Sequence, residues 1–423
     1  MATVKFIHAA DLHLDSPLLG LERYGGVPVE EVRAATRRAM ENMVELALNE
    51  NVDFVLIAGD LYDGDWKDYN TGLFFAHQMS RLNEAGIKVF IIAGNHDAAS
   101  QITKRLRLPE NAKLLSSKKP ESELLNDIGV AIHGQGFISR AVKDNLAINY
   151  PGKIEGYFNI GLLHTALTGR EGHEPYAPCS VSDLQSKDYD YWALGHVHER
   201  EIVSQDPWIV FPGNPQGRHA REEGAKGCTM VTLEDLKVLS VEHRELDVMR
   251  WVVRQVDAGD AISGDEVLDR IESNLEELLS KCEGDPLALR LVVEGCCKAH
   301  KELSANPDRW KNEARSIATH CSGGAAWIEK VDIRTSDAIV REESVTLGEA
   351  VRGLRESIAA YEVSDATQQA IVDDLQGFLR RLPPELKSGD DPVDLDDPEV
   401  LRRYVDGAKG ILQGRLSAGG ELI

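Results

Sequence analysis

No apolar run in this chain approaches the roughly 20 residues needed to span a bilayer, so no membrane segment is expected. The opening stretch Met1-Ala2-Thr3-Val4-Lys5-Phe6-Ile7 lacks the charged start and long apolar core of a signal peptide, and the expected location is the cytoplasm. Cysteines are present but unpaired in pattern: six, at 179, 228, 282, 296, 297 and 321, with no Cys-x-x-Cys. That excludes a disulfide framework and the common zinc-finger spacings, and leaves reduced, mostly buried thiols. Gly-x-Gly-x-x-Gly is absent too, which argues against a dinucleotide fold. Basic residues are in deficit: 47 Lys and Arg face 70 Asp and Glu, a net charge of −23, and neither half of the chain is basic. Such a chain cannot coat nucleic acid through its overall field. Local basic patches are not excluded, and bound cations would offset part of the charge at one site.

The 423 residues exceed one typical core, so two or three domains are expected. Up to about residue 245, apolar strands alternate with amphipathic helices. Lys5–Ala9 reads as a buried strand ending at Asp11-Leu12-His13, and Val29–Asn49 as a helix with Pro28 suited to its first turn. Asp53–Ala58 is a second strand ending in Gly59-Asp60-Leu61-Tyr62-Asp63. A helix over Asp68–Glu84 leads to a third strand, Ile87–Ala93, ending at Gly94-Asn95-His96-Asp97. Shorter strands near 128–133, 157–163, 190–194, 208–211 and 228–233, with Gly-rich connections, suggest a second sheet packed on the first. The class is α/β, a layered sandwich.

Residues 246–340 read as a small α/β domain without evident chemistry: strands at 251–256, 287–293 and 327–333, and helices at 264–279 and 300–320, the latter interrupted by Pro307. Residues 341–423 read as helical. Thr346–Glu349 has capping-box spacing, and a second helix is expected from about Asp365 to Leu382. After Pro383-Pro384 and an acidic linker, Asp397-Pro398 opens a last helix. Its Val400, Leu401, Tyr404, Val405, Ala408, Ile411 and Leu412 form one apolar stripe at helical spacing.

Polar chemistry collects at the strand ends. Asp11 and His13 follow the first strand, Asp60 the second, and Asn95 and His96 the third. Leu162-Leu163-His164-Thr165 and Leu194-Gly195-His196-Val197-His198 place three more imidazoles just past later strands. Each piece alone has an ordinary reading: a strand-end cap, a turn, a polar loop. Together, in alternating α/β units, strand ends converge on one sheet edge. Oxygen and imidazole donors without a thiolate suit a pair of divalent ions such as manganese, iron or zinc.

The set DLH, GDLYDG, GNHD, LLHT and GHVH strongly resembles the calcineurin-like metallophosphoesterases over about the first 240 residues. The resemblance implies a four-layer αββα sandwich that hydrolyses phosphomonoesters or phosphodiesters with two metal ions. Asp11, His13, Asp60 and His198 would hold one ion, and Asp60, Asn95, His164 and His196 the other, with Asp60 bridging. His96 matches the non-ligand histidine that protonates the leaving oxygen, and Asp97 would orient it. A mixed oxygen–imidazole shell makes manganese the expected metal.

Phe6–Pro17, Tyr191–His198 and Phe211–His219, followed by Glu223-Gly224-Ala225-Lys226-Gly227, are similar to the bacterial DNA-repair exonucleases of the SbcD and YhaO type. This likeness implies a nuclease domain over 1–245, a capping domain over 246–340 and a helical region over 341–423 that docks an SMC-like ATPase, with DNA as substrate. The apolar stripe could equally fold on its own chain or on a second copy, giving a homodimer. Arg218 and His219 would meet the substrate phosphate. Many such nucleases carry histidine where Asp63 stands, which leaves the exonuclease–endonuclease balance open. Lys104, Arg105, Arg107, Lys113, Lys118 and Lys119 form the conspicuous basic cluster. A small-molecule phosphodiesterase or phosphatase shares every metal ligand and accords better with the acidic composition.

Overall fold

The computed structural model describes residues 3–16, 34–63, 69–99, 107–167, 176–282 and 286–338, with scattered positions beyond 352. Pro28, Lys104, Arg105, Thr346–Glu349 and three members of the 400–412 stripe, Val400, Leu401 and Ile411, lie outside the described residues. Tyr404, Val405, Ala408 and Leu412 are helical, with Tyr404 and Leu412 exposed. The chain divides into two compact units, Met1–Arg218 with Glu222–Trp251, and His219–Arg221 with the residues from Val252 on.

In the first unit, β1 (Thr3–Ala9), β2 (Phe54–Ile57), β3 (Lys88–Ile91) and β4 (Ala112–Leu114) run parallel. The long strands β11 (Gly227–Glu234) and β12 (Lys237–Glu245) extend this sheet antiparallel beside β1, in the order β12-β11-β1-β2-β3-β4. The segment 228–233 therefore belongs to the first sheet, not to the second as its sequence neighbours suggested. A second sheet has the order β5-β6-β7-β8-β10-β9. Its strands are β5 (Glu121–Leu125), β6 (Val130–Gln135), β7 (Phe158–His164), β8 (Tyr191–Gly195), β9 (Glu201–Gln205) and β10 (Trp208–Phe211).

Side-chain alternation explains why the sheets stack. Val4, Phe6, Phe54, Leu56 and Phe90 point between the sheets, where they meet Ile132, Ile160, Leu162 and Ala193. Their neighbours Ile7, Ala9, Val55, Ile57, Val89 and Ile91 face the helices α1 (Ala35–Glu50) and α2 (Tyr69–Glu84) through Met40, Val44, Phe75 and Met79. Burial on both faces is what makes these strands continuous apolar runs. On the outer face of the second sheet, Trp192, Leu194 and Phe211 pack with Leu184 and Tyr189. Among the described residues the helical cover there is a 3-10 turn, Ala147–Asn149, and one short helix. The architecture is an α/β sandwich of two sheets flanked by helices.

Three strand-end features position the site. α3 (Asn95–Ala99) begins where a turn was expected after β3. The loops after β1 and β2 continue side by side beyond the strands, with Asp11 N donating to Gly59 O at 2.9 Å and His13 N to Asp60 O at 3.0 Å. The short helix α4 (Val181–Gln185), capped by Ser180, then leads into β8.

The second unit is built on the three-stranded sheet β13-β14-β15 (Arg250–Asp257, Leu287–Cys297, Ala326–Asp337), whose first two residues belong to the first unit. Helices α5 (Gly264–Lys281), α6 (His300–Ala305) and α7 (Pro307–Ser322) cover it, and Ile271, Leu275, Leu289, Leu291 and Trp310 fill the core. The interruption expected at Pro307 is present: one helix ends at Ala305 and the next starts at Pro307. Pro307 opens the latter, at the first position after the Asn306 cap, where its missing N–H costs nothing. Among the described residues no helix is long and apolar enough to cross a membrane.

Candidate metal centre

The expected ligands gather where the two sheets meet. Asp11, His13, Asp60 and Asn95 come from the C-terminal ends of β1, β2 and β3. His164, His196 and His198 come from the ends of β7 and β8 in the other sheet. Donor atoms fall into three groups, each with all atoms within 4.8 Å of one another: Asp11, His13 and His198; His13, Asp60 and His96; Asp60, His164 and His196. Asp60 Oδ2 lies 3.9 Å from His13 Nε2 and 3.5 Å from His164 Nε2, and so stands between the first ligand set and the second. Asn95 Oδ1 is 2.9 Å from the same His164 nitrogen.

These separations suit bound ions. Ligands about 2.1 Å from a shared ion lie about 3.0 Å apart in an octahedron and about 3.4 Å apart in a tetrahedron. Two imidazole nitrogens facing each other at 3.3 Å, His13 Nε2 and His198 Nε2, fit the same spacing. The backbone is also strained here. Asp11, His13, Asp60 and His196 all take positive φ, at 54°, 40°, 52° and 99°. Such left-handed geometry in non-glycine residues concentrates at functional sites, where the surroundings over-determine it.

Electrostatics point the same way. Burial pushes the Asp60 carboxyl up, but His164, His13 and His96 around it outweigh burial and hold it far below the usual range. Burial alone would lower His164, yet Asp60 and Asp11 raise it to about 9. Both of its ring nitrogens face oxygens, Ala58 O at 2.8 Å and Asn95 Oδ1 at 2.9 Å. A metal taking the place of the Nε2 proton would find acceptor oxygens already arranged around it. His13 is lowered to about 3 by burial and by the Arg218 charge, which favours the neutral ring with one nitrogen lone pair available.

His96 is placed differently. Its backbone N donates to Asp60 Oδ1 at 2.9 Å, while its half-buried ring stacks edge-on against His13. The carboxylate beside that ring is Asp63, with Oδ1 3.1 Å from Nδ1. Asp97, expected to orient His96, instead binds backbone: Leu61 N at 3.0 Å, Tyr62 N at 3.2 Å and Gly94 N at 3.0 Å. The first turn of α3 returns its carboxylate onto the preceding loop, and three amides occupy it. Burial, then the Asp60 charge, raises Asp97 to about 6.

Arg218 reaches the centre, with Nη2 3.0 Å from His198 Nδ1. His219 belongs to the other unit and is in none of the donor groups; its Nδ1 accepts from Arg221 N at 3.3 Å. Of the basic cluster, the described members are paired or exposed. Lys113 pairs with Glu121 at 2.7 Å and Glu123 at 2.5 Å, and Lys118 and Lys119 lie exposed. Sequence reasoning missed Glu222, which is buried against His198. Its position within Arg221-Glu222-Glu223 reads as a solvated charge run.

Comparison with known proteins accords with this geometry. The calcineurin-like phosphoesterase family matches residues 4–200, and the middle domain of metallophosphoesterase YhaO matches 251–336. The chain is 36% identical over 299 residues to the uncharacterized metallophosphoesterase YhaO of Bacillus subtilis, an alignment covering 70% of this chain and 72% of that protein. It is 26% identical over 267 residues to the DNA double-strand break repair protein Mre11 of Sulfurisphaera tokodaii, covering 60% of this chain and 65% of the relative. With the Mre11 of Haloferax volcanii the identity is 25% over 274 residues, and 58% of that relative is spanned. The chain thus spans less than two thirds of these Mre11 proteins. With its strand-end donors in place and more than two thirds of YhaO matched, the chain belongs to the calcineurin-like metallophosphoesterases, metal-dependent hydrolases of phosphoesters.

Proposed function

We propose that this protein is a two-metal DNA nuclease, cutting phosphodiester bonds in double-strand-break repair. The observation that carries the reading is Asp60 Oδ2 standing between His13 and His164, with two donor sets on either side and His96 beside them. Asp11, His13, Asp60 and His198 would hold one ion, and Asp60, Asn95, His164 and His196 the other. When bound, the ions draw charge off the phosphate oxygens and activate water; manganese is the expected pair. His96 delivers a proton to the leaving oxygen, and Asp63 keeps that ring oriented and charged. Arg218, next to His198, faces a non-bridging phosphate oxygen.

DNA as substrate rests on the named role of the Mre11 relatives. The division into a nuclease domain over 1–245, a capping domain over 246–340 and a docking region over 341–423 belongs to the same reading. So does an SMC-like ATPase held by the apolar stripe after residue 400. A small-molecule phosphodiesterase is the second reading, favoured by the net charge of −23. Manganese-loaded protein should be assayed on linear, hairpin and circular DNA beside a generic phosphodiester. Hydrolysis of the small ester without DNA cleavage would give the second reading. Deleting residues from 392 on should abolish co-purification with the ATPase and leave small-ester hydrolysis intact. Loss of both would place the stripe in the protein's own core.

A further inference from the structure

His198 turns only one ring nitrogen toward the donor cluster. Nε2 lies 3.3 Å from His13 Nε2 and 3.8 Å from Asp11 Oδ1. The other nitrogen, Nδ1, lies 2.6 Å from Glu222 Oε1. Glu222 is 5% exposed, and both of its oxygens are occupied. Oε1 also accepts from Arg218 Nη2 at 3.1 Å, and Oε2 accepts from Arg218 N and from Asn214 Nδ2, each at 2.8 Å. Four donors on two oxygens leave no place for a carboxyl proton. Arg218 Nη2 also lies 3.0 Å from His198 Nδ1, but a 2.6 Å contact between Nδ1 and an ionised oxygen needs a proton between them. The guanidinium therefore donates to Oε1, the proton sits on Nδ1, and Nε2 keeps a lone pair aimed at the cluster.

From this arrangement we infer that Glu222 is the positioning residue of the first metal site. It fixes the His198 tautomer and ring plane, and it ties the loop 212–222 to that ligand. Glu222 is not an eighth ligand. It lies on the side of the imidazole away from the cluster, with its lone pairs already directed at other donors. Arg218 supplies the charge that a buried carboxylate needs, so the Glu222–Arg218 pair serves two tasks at once: it holds the ring, and it fixes where the guanidinium stands. A carboxylate on the far nitrogen of a metal-bound imidazole orients the ring and raises its basicity, and its loss weakens metal binding about 10- to 100-fold.

The inference rests on the reading of His198 as a ligand, and one experiment separates the two. Full-length wild type and Glu222→Gln are stripped of metal and titrated with manganese by calorimetry. The amide keeps the size of Glu222 but gives up one acceptor oxygen. One ion should then bind about 10- to 100-fold more weakly, while the other keeps its wild-type affinity. In zinc-loaded wild type, the imidazole nitrogen spectrum of His198 should show a proton on Nδ1. Wild-type affinity for both ions in Glu222→Gln, with only a lowered melting temperature, would make Glu222 a structural loop residue and overturn the inference. If the variant does not fold, the wild-type spectrum decides, since metal on Nδ1 rules the inference out. Should wild type bind no divalent ion at all, the functional reading fails, and this inference with it.

Discussion

His96 Nδ1 stands 3.1 Å from Asp63 Oδ1, although the two residues belong to different strand-end loops. Asp63 is itself held from behind, with Ser16 Oγ donating to Oδ2 at 2.7 Å. Burial would lower the His96 pKa, but Asp63 and Asp60 beside it prevail and raise it above its ordinary value. Asp63 thus favours the charged form of the ring and flanks it, while belonging to none of the donor groups itself.

Replacing Asp63 with Asn should lower turnover about 10- to 100-fold, part of the 10²- to 10⁴-fold worth of a positioned acid, with metal content unchanged. Asp63 favours protonated His96, so its loss should move the alkaline limb of the pH–rate profile to lower pH. An unshifted limb in a variant that still binds two ions would separate Asp63 from proton delivery.

Asp60→Asn and His96→Ala should part company on metal analysis. The first removes the negative charge standing between His13 and His164, and both ions should be lost or greatly weakened. The second should keep both ions and slow only hydrolysis, by about 10²- to 10⁴-fold. Two ions at wild-type occupancy in Asp60→Asn would show that it does not bridge.

Gly195 ends β8 with its Cα packed against the first sheet. A Cβ there would overlap Ala58 O and come within 3.0 Å of His164 Nδ1. Backbone cannot yield as a side-chain tip can, so Gly195→Ala should cost about 3 kcal/mol, read as a lower urea midpoint. A cost below about 0.5 kcal/mol, the range of neutral surface changes, would mean the sheets separate more easily than their packing implies.

His8 lies fully buried between the sheets, Nδ1 3.0 Å from Tyr191 Oη and Nε2 3.0 Å from Leu194 O. Burial lowers it from 6.5 to about 3, against a weaker raising effect of the Leu194 carbonyl. The folded pKa is the lower one, so this contribution is complete above pH 6.5 and is lost as the pH falls toward 3. At about 1.4 kcal/mol per unit, the loss by pH 5 is about 2 kcal/mol. His8→Gln can make both hydrogen bonds without titrating, and should be less destabilised than wild type between pH 7 and pH 5. Equal losses would assign the acid sensitivity elsewhere.

Much of the sandwich was legible because its central strands are buried on both faces and each ends in a polar motif. Val55–Ile57 followed by Gly59-Asp60 announces a strand and its polar end in six letters. The edge strands β4, β5, β9 and β12 were not legible: half-exposed and mixed in composition, they look like loops until a neighbour pairs with them. Seven strand-end residues were readable as a candidate metal set from residue type alone. The carboxylates that hold His96 and His198 were not. Asp63 was visible only as a departure from the usual histidine, and nothing in Arg221-Glu222-Glu223 tells which glutamate turns inward. Which carboxylate meets which imidazole depends on how distant loops cross.

His13 and His198 meet at 3.3 Å across 185 residues of chain. At a synthesis rate of about 5–20 residues per second, roughly 10–40 s pass on the ribosome between the two. During that interval β1, β2 and β3 can pair locally, but they bring only three of the four ligands proposed for one ion and two of the four proposed for the other. Closing so long a loop is also slow in itself. The proposed ligand sets are therefore completed as one late event, when the ends of β7 and β8 reach those of β1, β2 and β3, and a chain that stops short of His198 completes neither the fold nor the first set.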